Sequence, residues 1–211
     1  MNTATARLTF LDELREQRWD DHRHYHQSRV NQSLHLLSAC CFLVSYGLIA
    51  VSPIAAALLG WVVAMWIRQI GHFFFEPRGY DTINHLSFDE KEAIKVGFNL
   101  QRKVVLLAAW LAIPLTLWLT PSLFGTIAPH AGWGEYLDRV GVAWLVLAAV
   151  GLLGRTMWLC ATRSAQTGVV WLTKIVTDPV HDILLYRKAP LRLLRGERLD
   201  PMTHVESAGR R

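Results

Sequence analysis

The apolar residues of this chain are gathered into four long runs, at 36–52, 54–70, 104–120 and 141–162. This blocking constrains the fold more than any single motif. A helix needs roughly 17–25 consecutive apolar residues to cross the hydrocarbon core of a bilayer. The first and third runs contain no charged residue. Arg68 and Arg155 lie toward the ends of the second and fourth, where a long side chain can reach the headgroups. The expected fold is therefore all-α, an integral membrane helical bundle of about four transmembrane helices with amphipathic interfacial helices. A soluble bundle with unusually apolar helices is the alternative, and at 52% hydrophobic and 18% charged residues the membrane reading is the stronger.

Charge supports the same division. Bases cluster before the first run (Arg7, Arg15, Arg18, Arg23, Arg29), between the second and third (Arg78, Lys91, Lys95, Arg102, Lys103) and after the fourth (Arg187, Lys188, Arg192, Arg195, Arg198). The other two links are nearly free of them. By the positive-inside rule both termini and the middle connection face the cytoplasm, of a bacterial inner membrane or an endoplasmic reticulum. The net charge of +5 is then a topology signal and does not imply a nucleic-acid partner. The N-terminus is charged and lacks the apolar core of a signal peptide. Cys40, Cys41 and Cys160 all fall inside apolar runs, which suits packed thiols and not a disulfide framework.

Five segments follow from this pattern, read as one membrane domain. They are an amphipathic N-terminal segment (1–30), a helical hairpin with histidine motifs (31–76), a cytoplasmic connection (77–103), a second hairpin (104–162), and an interfacial, basic C-terminal tail (163–211). Ser87 and Glu90 have the spacing of a capping box. Asp178-Pro179 reads as the N-cap and first residue of a short helix ending near Tyr186.

Histidines are concentrated where the hairpin ends meet. His35 opens the first run and His72 closes the second, so an antiparallel hairpin brings them to one membrane face. His26 lies just before the first run. His72 and Glu76 have i, i+4 spacing on a helix, as do Asn31 and His35. Two imidazoles and a carboxylate with open positions suit non-haem iron(II) and oxygen chemistry. Each histidine taken alone also fits an interfacial anchor, and His22, His24 and His130 read as surface residues.

Two blocks resemble a known family. Residues 25–35 (YHQSRVNQSLH) and 66–76 (WIRQIGHFFFE) resemble, in the same order, the paired histidine motifs of fungal 2-hydroxy fatty acid dioxygenases of the Mpo type. The chain departs from that pattern at Gln27-Ser28-Arg29 and at Arg78-Gly79-Tyr80, and nothing in its C-terminal half has a counterpart in the motifs. The resemblance implies an Fe(II)-dependent dioxygenase acting on a 2-hydroxy fatty acid and molecular oxygen at the bilayer. It implies His26, His35 and His72 as metal ligands, Glu76 as a fourth ligand or an orienting group, and His85 as an extra ligand. Gln69 and Asn31 are expected to fix tautomers or the substrate carboxylate, and Tyr25 to contact oxygen. Arg29, Arg68 or Arg78 is expected to pair with the carboxylate, while His181 with Asp182 is a more distant prospect. Competing classes are another metal-dependent lipid hydroxylase or hydrolase, and a haem-binding or scaffold protein. The chain lacks dense His-x-x-His-His clusters and a Gly-x-Ser-x-Gly turn.

Overall fold

A computed structural model describes residues 8–94 and 100–202. Arg7 and Lys95 of the basic clusters lie outside the described residues. The described part is helical, without strands: α1 Phe10–Tyr25, α2 Arg29–Leu48, α3 Pro53–Phe75, α4 Phe88–Ile94, α5 Leu100–Leu119, α6 Trp133–Thr162, α7 Ala165–Tyr186 and α8 Ala189–Leu194.

Local chemistry sets most boundaries. Thr9, Ser28, Ser52 and Ser164 each accept a hydrogen bond from the backbone N–H three residues on, capping α1, α2, α3 and α7. The Ser28 cap divides the amphipathic 8–30 segment into α1 and the start of α2. Ser87 and Glu90 form the expected reciprocal capping box before α4. α3 is irregular. Its stretches Leu58–Ala64 and Gly71–Phe75 are π-helical, and the second carries His72.

Two of these helices, α3 and α6, are long and apolar enough to cross a membrane. Only 28% and 22% of their apolar windows are buried, unlike the core helices of a soluble protein. Val142, Val146, Val150, Leu153 and Met157 of α6 are all about half exposed or more. Among the described residues two of the expected four spans are thus long and apolar enough. The 36–52 run lies in α2, whose first two turns bury Arg29, Asn31, Gln32 and His35, leaving too short an apolar remainder. The 104–120 run lies in α5, where the described apolar stretch is Leu107–Leu119.

The C-terminal half differs most from expectation. α7 runs unbroken through Asp178-Pro179. Asp178 does not cap a helix, because its carboxylate is held by Lys174 one turn back and by Arg18 of α1. Arg68 does not extend to the headgroups either. It turns inward to Ser38 Oγ (3.0 Å) and Asp182 Oδ2 (2.5 Å). All three cysteines are free, and Cys40 is exposed, not packed.

The α5–α6 contact shows how a helix fault is repaired. Pro114 has no N–H, so the carbonyl of Trp110 loses its helical partner. The indole N–H of Trp144 donates to that carbonyl at 2.8 Å, and the two indole rings stack. Tyr136 donates to the Pro114 carbonyl at 2.9 Å. α6 also crosses the start of α3 at Gly141, where an added Cβ would lie 2.3 Å from the Ile54 nitrogen and 2.6 Å from the Pro53 carbonyl carbon. Those are backbone atoms and cannot rotate away. Gly141→Ala should destabilise the protein by about 1–3 kcal/mol in detergent thermal unfolding. Gly151→Ala, which meets open space, should be neutral or slightly stabilising, and equal effects of the two would refute the close crossing.

Candidate metal centre

Three imidazoles meet where α1, α2 and α3 come together. His26 Nε2 lies 3.2 Å from His35 Nε2, and His35 Nε2 lies 3.1 Å from His72 Nε2. One ligand atom from each falls within 4.8 Å of the others. His26 and His35 are buried, and His72 is half-buried.

The tautomers follow from the partners of the other ring nitrogens. His26 Nδ1 lies 3.0 Å from the carbonyl oxygen of Asp21, which can only accept. Nδ1 therefore carries the proton and Nε2 presents a lone pair. His35 Nδ1 faces the Asp182 carboxylate at 3.7 Å, which favours the same tautomer. Burial pushes His26 and His35 well below the usual imidazole range, and nearby cationic or imidazole groups push in the same direction. Neutral imidazoles aiming lone pairs at one another repel unless a cation lies among them. Adjacent nitrogen ligands of one first-row ion, with bonds of about 2.1 Å, stand roughly 3.0–3.4 Å apart. The observed 3.1 and 3.2 Å fit that spacing and not the opposed axial pair of a haem.

Glu76 is not one of the converging groups. The π-helical turn ends at Phe75 and Glu76 is extended, so the expected i, i+4 alignment with His72 is lost. Its carboxylate instead accepts from Asn31 Nδ2 (2.6 Å) and from the N–H groups of Gln27 (3.3 Å) and Ser28 (3.4 Å). Burial raises it to about 7 against those hydrogen bonds. Asn31, fully buried, also donates to the Tyr25 carbonyl (2.8 Å) and so ties the ends of α1, α2 and α3 together. Gly71 makes that possible, because a Cβ there would lie 1.9 Å from Asn31 Oδ1.

The remaining expected residues separate. Tyr25 presents its ring edge-on to His72. Gln69 is half-buried on α3, within a turn of His72. His85 is exposed in the turn closed by the Asp81–Leu86 bridge and is not among the three converging imidazoles. Arg78 is exposed and Arg29 is buried against Asp200, whereas Arg68 pairs with the same Asp182 that faces His35.

The C-terminal half supplies groups that motif reading passes over. Asp182 and Tyr186, one turn apart on α7, reach the site, and the Tyr186 ring lies 5.7 Å from His26 and 6.3 Å from His35 between centroids. Tyr186 Oη is 3.1 Å from His22 Nδ1, so His22 is buried and not a surface residue. The Asp200 carboxylate accepts from Arg29 (2.8 Å) and Gln32 (3.0 Å), while Gln32 donates to the His26 carbonyl. A sequence signal for Asp182 existed in its neighbour His181, but nothing local linked either residue to His35.

With this geometry in hand, comparison with known proteins is informative. The Mpo1-like family model, described as 2-hydroxy-palmitic acid dioxygenase Mpo1-like, matches residues 13–88. The match covers both histidine blocks and supports the resemblance to that family over this segment. The Mpo1-like segment contains His26, His35, His72, Asn31 and Glu76, whereas Asp182, Tyr186 and Asp200 lie beyond it. No curated protein and no solved structure matches the chain.

Behind the Mpo1-like site, Asp81 anchors the segment that follows α3. Its carboxylate accepts from Gln27 and Asn84 and pairs with buried Lys91 at 3.1 Å. Burial pushes Asp81 upward, but Asn84 and Lys91 outweigh it and hold the group at about 2. A depressed carboxylate stabilises the fold above its unfolded value near 4, and that contribution is lost as pH falls toward 2. Asp81→Asn should therefore remove on the order of 2 kcal/mol near neutrality and flatten stability between pH 4 and 2. Unfolding titrations that give parallel curves for the two proteins would contradict this assignment.

Proposed function

We propose that the protein is a membrane-associated, Fe(II)-dependent dioxygenase that shortens 2-hydroxy fatty acids by one carbon. The convergence of three imidazoles within the segment that matches the Mpo1-like model carries this reading. His26, His35 and His72 would hold the metal. Bound iron(II) would supply open positions for oxygen and for a hydroxyl–carboxylate chelate. The overall reaction balances as 2-hydroxy acid plus O2 giving the acid one carbon shorter, CO2 and water.

The chain's own groups have separable tasks. The Asp21 carbonyl holds the His26 ring in the tautomer that frees Nε2, and the Asp182 carboxylate facing His35 Nδ1 at 3.7 Å favours the same tautomer there. Asn31 and Glu76 position the π-helical turn that carries His72. Arg68 is the guanidinium nearest this arrangement by its shared partner Asp182, and we assign it to the substrate carboxylate. Tyr186, Tyr25 and the buried α1–α2 junction exclude water on one side. The exposed apolar surfaces of α3 and α6 suit a bilayer, from which an acyl substrate would arrive. Cytoplasmic placement of both termini belongs to the same reading.

Iron content of anaerobically reconstituted protein tests the assignment. About one iron per chain is expected for wild type, lost in His35→Ala and in His72→Ala, and bound about 10–100-fold more weakly in Asp182→Asn. Stoichiometric iron in both alanine variants would refute the ligand set. Oxygen uptake with a 2-hydroxy fatty acid, and a product one carbon shorter, should follow iron occupancy. Iron binding without such turnover would leave the site and remove the proposed reaction.

A further inference from the structure

α7 has two chemically opposite faces. Lys174, Asp178, Asp182 and Tyr186 recur every four residues and turn inward, to Asp21, Arg18, Arg68 and His22 respectively. Val169, Val176, Val180 and Leu184 form a second stripe at i, i+7, i+11 and i+15, exposed by 46, 45, 49 and 61%. On α8 that exposure continues with Leu191 at 50% and Leu194 at 85%. Around α8 stand Arg187, Lys188, Arg192, Arg195 and Arg198, none in an ion pair among the described residues. Glu197 is the one acidic residue between Arg187 and Arg198.

The position of this unit indicates what covers it. α7 ends beside His26 and His35, at the same end of the molecule where the long apolar helix α3 terminates at Phe75. Residues 198–200 are fastened there by Arg29 N–H to the Arg198 carbonyl (2.9 Å) and Asp200 N–H to the Gln27 carbonyl (2.8 Å). An exposed apolar stripe running into a basic cluster, at the end of a helix suited to crossing a membrane, matches a bilayer surface bearing negative charge.

We propose that α7 and α8 lie on an anionic lipid surface, with the apolar stripe against the acyl boundary and the bases among the headgroups. Docking holds the inward face of α7, and so Asp182 and Tyr186, against the three histidines. The proposal rests on the C-terminal unit and on the membrane-associated reading of α3, and does not require the dioxygenase reading.

Spin labels at Val180→Cys and Leu194→Cys, in a Cys40→Ser, Cys41→Ser, Cys160→Ser background, test it in vesicles of phosphatidylcholine with or without phosphatidylglycerol. Both labels should be reached by oxygen and shielded from an aqueous nickel reagent when anionic lipid is present. High salt, or the combined Arg187→Gln, Lys188→Gln, Arg195→Gln and Arg198→Gln variant, should restore nickel access at Leu194 by about tenfold. Equal nickel access at both positions in every vesicle would overturn the proposal. Shielding that ignores lipid charge and salt would also overturn it, pointing to a protein partner or uncharged insertion. Far-ultraviolet circular dichroism of each variant separates loss of docking from loss of fold.

Discussion

The arrangement turns on a repulsion that the fold enforces. His26 and His35 are buried and face each other through Nε2, while the Asp21 carbonyl holds the far side of the first ring and the Asp182 carboxylate faces that of the second. Removing any one of these restraints would let a ring turn and relieve the contact. Asn31, Glu76 and the Ser28 cap keep α1, α2 and α3 in register around it, which explains why so many polar groups are buried at the start of α2. A buried polar group costs stability unless it is hydrogen-bonded. Here Gln32, Arg29 Nη1 and Asp200 bond one another, which offsets part of the cost.

That same demand shortens the first apolar run. A helix cannot devote its first turns to buried amide, imidazole and guanidinium groups and also present enough apolar residues to cross a bilayer unaided. α2 does the former. α3 and α6 retain the length, and their exposed Val, Leu, Trp and Phe side chains are a burden in water and an advantage in lipid. Counting apolar runs therefore located the helices, of which α3 and α6 have the length and apolarity to cross a membrane.

Much of the site could be read from the sequence because it depends on topology. One tight link at Ser52-Pro53 makes α2 and α3 antiparallel, and that alone brings His35 and His72 together. Of the two roles expected for Glu76, ligand or orienting group, the geometry favours the second: i, i+4 reasoning assumes 3.6 residues per turn, and the Gly71–Phe75 turn is wider. His85 looked available only because sequence proximity says nothing about the Asp81–Leu86 bridge. Sequence reading does not single out Tyr186, and offers Asp182 only as a distant prospect beside His181, for another reason. They meet His35 and His26 across some 150 residues, and the proline at 179 disguised the continuous helix that delivers them.

The Mpo1-like segment is therefore incomplete as a physical unit. It contains all three converging imidazoles, yet the carboxylate facing His35 Nδ1 comes from α7 and the carboxylate bonding Arg29 and Gln32 comes from Asp200. Without those two groups, the buried Arg29 guanidinium would lack its counter-charge and the His35 ring its outer partner. An unpaired buried cation is among the most costly defects a fold can carry. The C-terminal half is thus part of the site's foundation, and the arrangement of the three histidines rests on α7 and residues 198–200 being seated against the matched segment.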